Sequence, residues 1–85
     1  MHAMPWPPPL IYHTRLLVLD DQKTEAIRLL RSELQYTLLD AVALVNNADG
    51  KSFTIKDGLD REEAERLAIV FTRAGMLSAF LPNPF

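Results

Sequence analysis

Residues 53–82 read FTIKDGLDREEAERLAIVFTRAGMLSAFLP, and the fold turns on this stretch. Phe53 and Ile55 alternate with Ser52, Thr54 and Lys56, the period of a half-buried strand. Asp57-Gly58 reads as a turn. Asp60, with Glu63 three residues later, signals a helix start. Ala64, Leu67, Ala68, Phe71 and Ala74 then recur on one helical face. Glu62 and Arg66 stand at a favourable i, i+4 spacing. Gly75 closes the helix, because glycine adopts the positive φ of a helix end without strain. Met76–Leu81 is apolar and of strand length, and Pro82 and Pro84 stop it.

Working back towards the N-terminus, Arg15–Leu19 is a short apolar run ended by Asp20-Asp21, which predicts a buried strand. Asp21 is placed to cap the first helix. That helix is predicted over Lys23–Leu34, with Ala26, Ile27, Leu30 and Leu34 on its apolar face, widened by Leu29. Thr24, Arg28 and Arg31 fall on the opposite, exposed face. Thr37 and Asp40 resemble a capping box, opening a second helix striped by Leu38, Ala41, Val42 and Val45 and ended by Asn46-Asn47. Asp49-Gly50 is a turn. The order β-α-α-β-α-β predicts an α/β (α+β) two-layer sandwich: a three-stranded sheet covered on one face by three helices.

Residues 1–9 stand apart from this domain, which is expected over 10–85. Pro5, Pro7, Pro8 and Pro9 surround Trp6 and favour an extended polyproline II lead-in whose Trp6 packs on its own domain. Pro5-Trp6-Pro7-Pro8 also fits the P-x-x-P pattern read by aromatic grooves.

Composition narrows the classes of function. At 85 residues the chain holds one thin core, with little room for an enclosed active site. A net charge of −2 lacks the basic surplus of nucleic-acid domains. No cysteine is present, which excludes disulfides, zinc-thiolate sites and thiol nucleophiles. No apolar run reaches the ~18–20 residues of a membrane span, and no signal peptide is legible, so the expected location is the cytoplasm. Gly50, Gly58 and Gly75 all fall at turns, which leaves no phosphate-binding loop. His2 and His13 are the only histidines, and His13 reads as a lone exposed imidazole. Ser32, Ser52 and Ser78 have no histidine nearby in sequence, and Asp20-Asp21 suits turn and cap duty better than cation binding. The expectation is a non-enzymatic chain with no catalytic residues, cofactor or metal.

The helices carry a resemblance. Lys23–Arg31 (KTEAIRLLR) resembles the first helix in the C-terminal domain of the bacterial ribosomal stalk protein. Leu39–Val45 (LDAVALV) is similar to that family's second helix, and Lys56–Leu67 (KDGLDREEAERL) to its turn and third helix. The likeness covers about residues 14–81 and implies a stand-alone relative. Gln35–Leu38 replaces the family's Gly-Leu-Gly-Leu run, and Leu39 and Val42 stand where the family has lysines. In the family, the first helix and the start of the second recruit translational GTPases. The resemblance therefore implies a partner-binding surface at Thr24, Ile27, Arg28, Arg31, Leu39 and Val42. It implies a protein partner, a translation factor or ribosomal component, rather than nucleic acid or membrane.

The Clp-protease N-end-rule adaptor, ClpS, shares the expected fold. Pro8–Tyr12 followed by a strand ending Leu19-Asp20-Asp21 is similar to its Pro-containing lead-in and Asn-Asp-Asp strand end, with Leu19 in place of the Asn. That likeness implies the alternative role, an adaptor for another machine such as a protease or polymerase. A third reading is self-association through an exposed sheet edge, the apolar C-terminal strand ending at Phe85.

Overall fold

The computed structural model describes residues 10–84. Along them run β1 (Tyr12–Leu17), a 3-10 turn (Asp20–Gln22), α1 (Lys23–Leu34), α2 (Leu38–Ala48), β2 (Phe53–Leu59), α3 (Arg61–Arg73) and β3 (Leu77–Pro82). This is the expected β-α-α-β-α-β order. The strand order is β2-β1-β3, and β1 is antiparallel to both neighbours. The proline-rich stretch 1–9, with Trp6, and the terminal Phe85 lie outside the described residues, as do the expectations placed on them.

The central strand explains the layering. Side chains alternate across a strand, so Thr14 and Leu16 turn to one face, and both are buried. Leu16 packs into a core with Leu30, Val45, Ile55 and Phe71, supplied by α1, α2, β2 and α3. Thr14, fully buried, donates its hydroxyl to the Ala64 carbonyl at 2.8 Å and ties the sheet to the start of α3. Burying Phe71, Leu16, Leu30, Ile55 and Leu67 contributes about 1.5–3 kcal/mol each relative to exposure.

Two helix starts form as their capping residues predict. Thr37 Oγ1 accepts the Asp40 N–H at 3.1 Å, and Asp60 Oδ1 accepts the Glu63 N–H at 2.8 Å. Gly75, at φ +94°, ends α3, where its N–H reaches the Thr72 carbonyl and the Met76 N–H reaches that of Phe71.

Elsewhere the structure corrects the reading. β1 begins at Tyr12 rather than Arg15, because Tyr12–Thr14 pair with Phe80–Pro82. It stops at Leu17, and Leu19 is exposed. Asp21 caps nothing. The residue before α1 is Gln22, whose amide instead accepts the Leu19 N–H and donates to the Gly75 carbonyl at 2.8 Å. α2 runs through Asn46-Asn47 to Ala48 and closes on Asp49, at φ +50°. Leu38 is exposed, and Leu44 packs against the core in its place. Asp57-Gly58 is not a turn. It lies inside β2 at a bulge, and Leu59 beyond it still pairs with Tyr12. Arg66 does not pair with Glu62. It holds Glu63 at 2.7 Å and Glu33 at 3.1 Å, joining α3 to α1. Those two carboxylates raise the Arg66 pKa, and the guanidinium hydrogen bond lowers that of Glu63.

Candidate functional site

The outer face of α1 follows from its 3.6-residue period. Ala26, Leu29 and Leu30 are buried, which turns Thr24, Arg28 and Arg31 outward. Ile27 is half-buried and packs against the core, so it borders this face rather than standing on it. The two arginines differ in state. Arg28 is held by Glu25 in a two-pronged pair, Nε to Oε1 at 2.9 Å and NH2 to Oε2 at 2.7 Å. That hydrogen-bonded pair lowers the Glu25 pKa and raises that of Arg28. Arg31 is exposed and makes no ion pair among the described residues. It is the open donor fork of the face.

Arg28 and Arg31 line an open surface concavity of about 410 Å³ together with Ser32, Gln35 and Tyr36. No motif in the sequence singles out Tyr36. Its position between the two helices is the one local signal, and its hydroxyl reaches the Ile55 carbonyl of β2 at 2.7 Å, fixing the ring at the rim. Gln35 holds the left-handed conformation, φ +62°, which lets α1 turn sharply into α2. Thr24, Ile27, Leu39 and Val42 do not line this concavity. Leu39 sits in the first turn of α2 with 79% of its surface in water, and Leu38 beside it with 53%. Val42 is half-buried one turn further on.

His13 is not a lone imidazole. It is half-buried, and its Nδ1 meets Asn83 Oδ1 at 2.5 Å. Asn83 Nδ2 donates to Asp57 Oδ1 at 2.7 Å, and Asp57 also accepts the Gly58 N–H. These bonds, that from Asn83 foremost, lower the Asp57 pKa. The chain of bonds clamps the segment after β3 onto the bulge of β2. Asp20 and Asp21 are exposed in the 3-10 turn, where Asp20 lies 3.6 Å from the Lys23 ammonium. Among the described residues, no group of three or more His, Cys, Asp or Glu side chains is placed to hold a metal ion. No helix among them is long and apolar enough to cross a membrane.

No protein-family model matches the chain, and no curated protein matches it.

Proposed function

We propose that this chain is a non-enzymatic protein-interaction module that docks a partner protein through α1 and the start of α2. The stalk-like wording of its helices makes a translational GTPase or a ribosomal component the partner to test. The observation that carries the reading is Leu39, with 79% of its surface exposed in the first turn of a helix whose neighbour Leu38 is also exposed. Single exposed leucines are ordinary on protein surfaces, but Leu38 and Leu39 are exposed together, two and three residues after the Tyr36 that lines the arginine concavity. Covering Leu39 would contribute about 1–2 kcal/mol to binding. Arg31 would supply planar donors for a carboxylate at the rim.

The test is a titration of the labelled chain with purified ribosomes and with purified translational GTPases, read by fluorescence anisotropy. Arg28→Glu/Arg31→Glu and Leu39→Lys should each weaken binding about tenfold or more, equivalent to ~1.4 kcal/mol or more, while circular dichroism is unchanged. Absence of binding by the wild type removes the stalk-like reading. Binding retained in full by both variants removes the surface.

A further inference from the structure

The two edges of the sheet are built differently. β2 carries two register shifts against β1, includes Lys56 and Asp57, and takes Gly58 at φ +71°. Bulges and charges are the usual guards of an edge strand. β3 carries neither. It pairs with β1 through six consecutive residues without a shift, and LSAFLP contains no charged side chain.

Its free side can be read from the register. The Asn83 N–H donates to the Ile11 carbonyl at 2.7 Å, one step beyond the Tyr12–Pro82 pair. Antiparallel pairs alternate, so Leu81, Ala79 and Leu77 direct their amide groups at β1. Ser78 and Phe80 direct theirs away from it. On the face opposite the helices, Leu77 is 70% exposed and Leu81 43% exposed. On the helical side, α3 packs against β3 and leaves an open groove of about 450 Å³ along the edge, with Ile69 at its rim.

We propose that the chain forms a two-fold symmetric dimer by antiparallel pairing of β3 with β3 of a second copy, making one six-stranded sheet. The occupant is a second copy because the edge is complementary to itself. A register that sets Ser78 opposite Phe80 of the other copy, and the converse, lets both outward amides of each strand bond. That register places Ala79 against Ala79 on the axis, the smallest side chain at the closest approach. It also places each Leu77 opposite a Leu81 on the open face, which covers both. Pro82, with no N–H, ends the ladder.

The helix above has the same symmetry. At a rise of ~3.4 Å per strand residue and ~1.5 Å per helix residue, Ala79 lies level with Ile69, counting from the turn that joins α3 to β3. The axis through Ala79 thus brings Ile69 against Ile69. One turn on either side, Glu65 meets Arg73 of the other copy. Arg73 is exposed and makes no ion pair among the described residues, and Glu65 has only Arg61, at 4.0 Å. With strands ~4.8 Å apart and α3 seated over β1 and β3, the two α3 axes stand about 10 Å apart, at helix-packing distance.

The test is sedimentation velocity on the full chain from roughly 5 μM to 1 mM, spanning weak to moderate association. A monomer–dimer equilibrium is expected. Ala79→Lys sets two ammonium groups against each other on the axis and should abolish the dimer at every concentration, with the circular dichroism spectrum retained. Arg73→Glu should raise the dissociation constant about tenfold, since both copies of the pair become repulsive. Adding Glu65→Arg to it should restore most of that loss, which a merely structural effect would not do. A monomer at all concentrations leaves the edge to residues 1–9 or to a foreign strand and overturns the proposal. A dimer indifferent to Ala79→Lys, or a charge swap without rescue, overturns it as well.

Discussion

Gln35 directly follows α1 and Gly75 lies two residues beyond α3, and at each the chain turns left-handed, at φ +62° and φ +94°. A side chain there crowds the following carbonyl and costs about 1–2 kcal/mol. Glycine escapes that cost but loses about 0.5–1 kcal/mol through its larger unfolded-state entropy. Gln35→Gly should therefore stabilise the protein by roughly 0.5–1 kcal/mol, and Gly75→Ala should destabilise it by a similar or larger amount. No heavy atom lies within 4 Å of a Cβ built at Gly75, so its cost is conformational and not a clash. Gln35 is exposed, and its side chain makes no hydrogen bond among the described residues that the change would remove. Urea titration at constant m-value reads both effects, and for a chain of this size they correspond to thermal shifts of about 2–8 °C in opposite directions. Gln35→Ala, which keeps the Cβ, should move nothing by more than ~0.3 kcal/mol. A neutral or destabilising Gln35→Gly, with Gly75→Ala also neutral, would show that backbone conformation does not set the stability at these two positions.

Three further outcomes are expected. Thr14→Val keeps the shape but removes the donor to the Ala64 carbonyl, which retains its own helix, so calorimetry should show a loss of about 1 kcal/mol; a variant as stable as wild type would mean that bond contributes nothing. Asp57 has its folded pKa lowered below the ordinary aspartate value of 3.8, first by the Asn83 amide, so its contribution is present above about pH 4 and lost as pH falls through the lower folded value. Thermal midpoints taken from about pH 5 down to 3 should therefore fall more steeply for wild type than for Asn83→Ala, and parallel profiles would sink the assignment. Glu25→Gln releases the Arg28 guanidinium and should tighten binding of an acidic partner about two- to fivefold without moving the thermal midpoint much; unchanged or weaker binding would place Arg28 outside the contact.

What could be read from the sequence divides along a physical line. The caps at Thr37 and Asp60 act on backbone three residues away, and Gly75 acts on its own φ, so local wording specifies them. The exposure of Arg28 and Arg31 follows from helical period alone. Contacts made at long range were not legible in the same way. Arg66 finds Glu33 across 33 residues and His13 finds Asn83 across 70, and in both cases the sequence suggested a nearer partner or none. Asp57-Gly58 shows the same limit from another side. The dipeptide serves a turn or a bulge equally well, and only the pairing of Leu59 with Tyr12 selects the bulge. Tyr36 is unmarked in the sequence for the same reason, since its role rests on a carbonyl of β2. Gln35 breaks a local rule outright, taking a conformation that glycine favours, and it does so on the rim of the arginine concavity. Sites of that kind, where a residue is kept at a conformational cost, are where function and stability pull apart.

The two surfaces proposed for this chain are geometrically independent, and that has a consequence. The α1–α2 junction leans on β2 through Tyr36 and Ile55, while α3 packs over β1 and β3. With the strand order β2-β1-β3, the arginine concavity and the pairing edge sit towards opposite sides of the sheet. A dimer joined through β3 therefore leaves both copies of Arg28, Arg31 and Leu39 uncovered and displays them twice, related by the two-fold axis. Two weak contacts on one rigid body gain effective concentration when the target offers paired sites, and gain nothing when it offers one. Dimer-breaking Ala79→Lys should then leave the intrinsic affinity for a single-site target untouched while lowering apparent affinity for an immobilised, densely displayed one. An equal loss on both targets would mean that the β3 edge and the α1 face are parts of one contact.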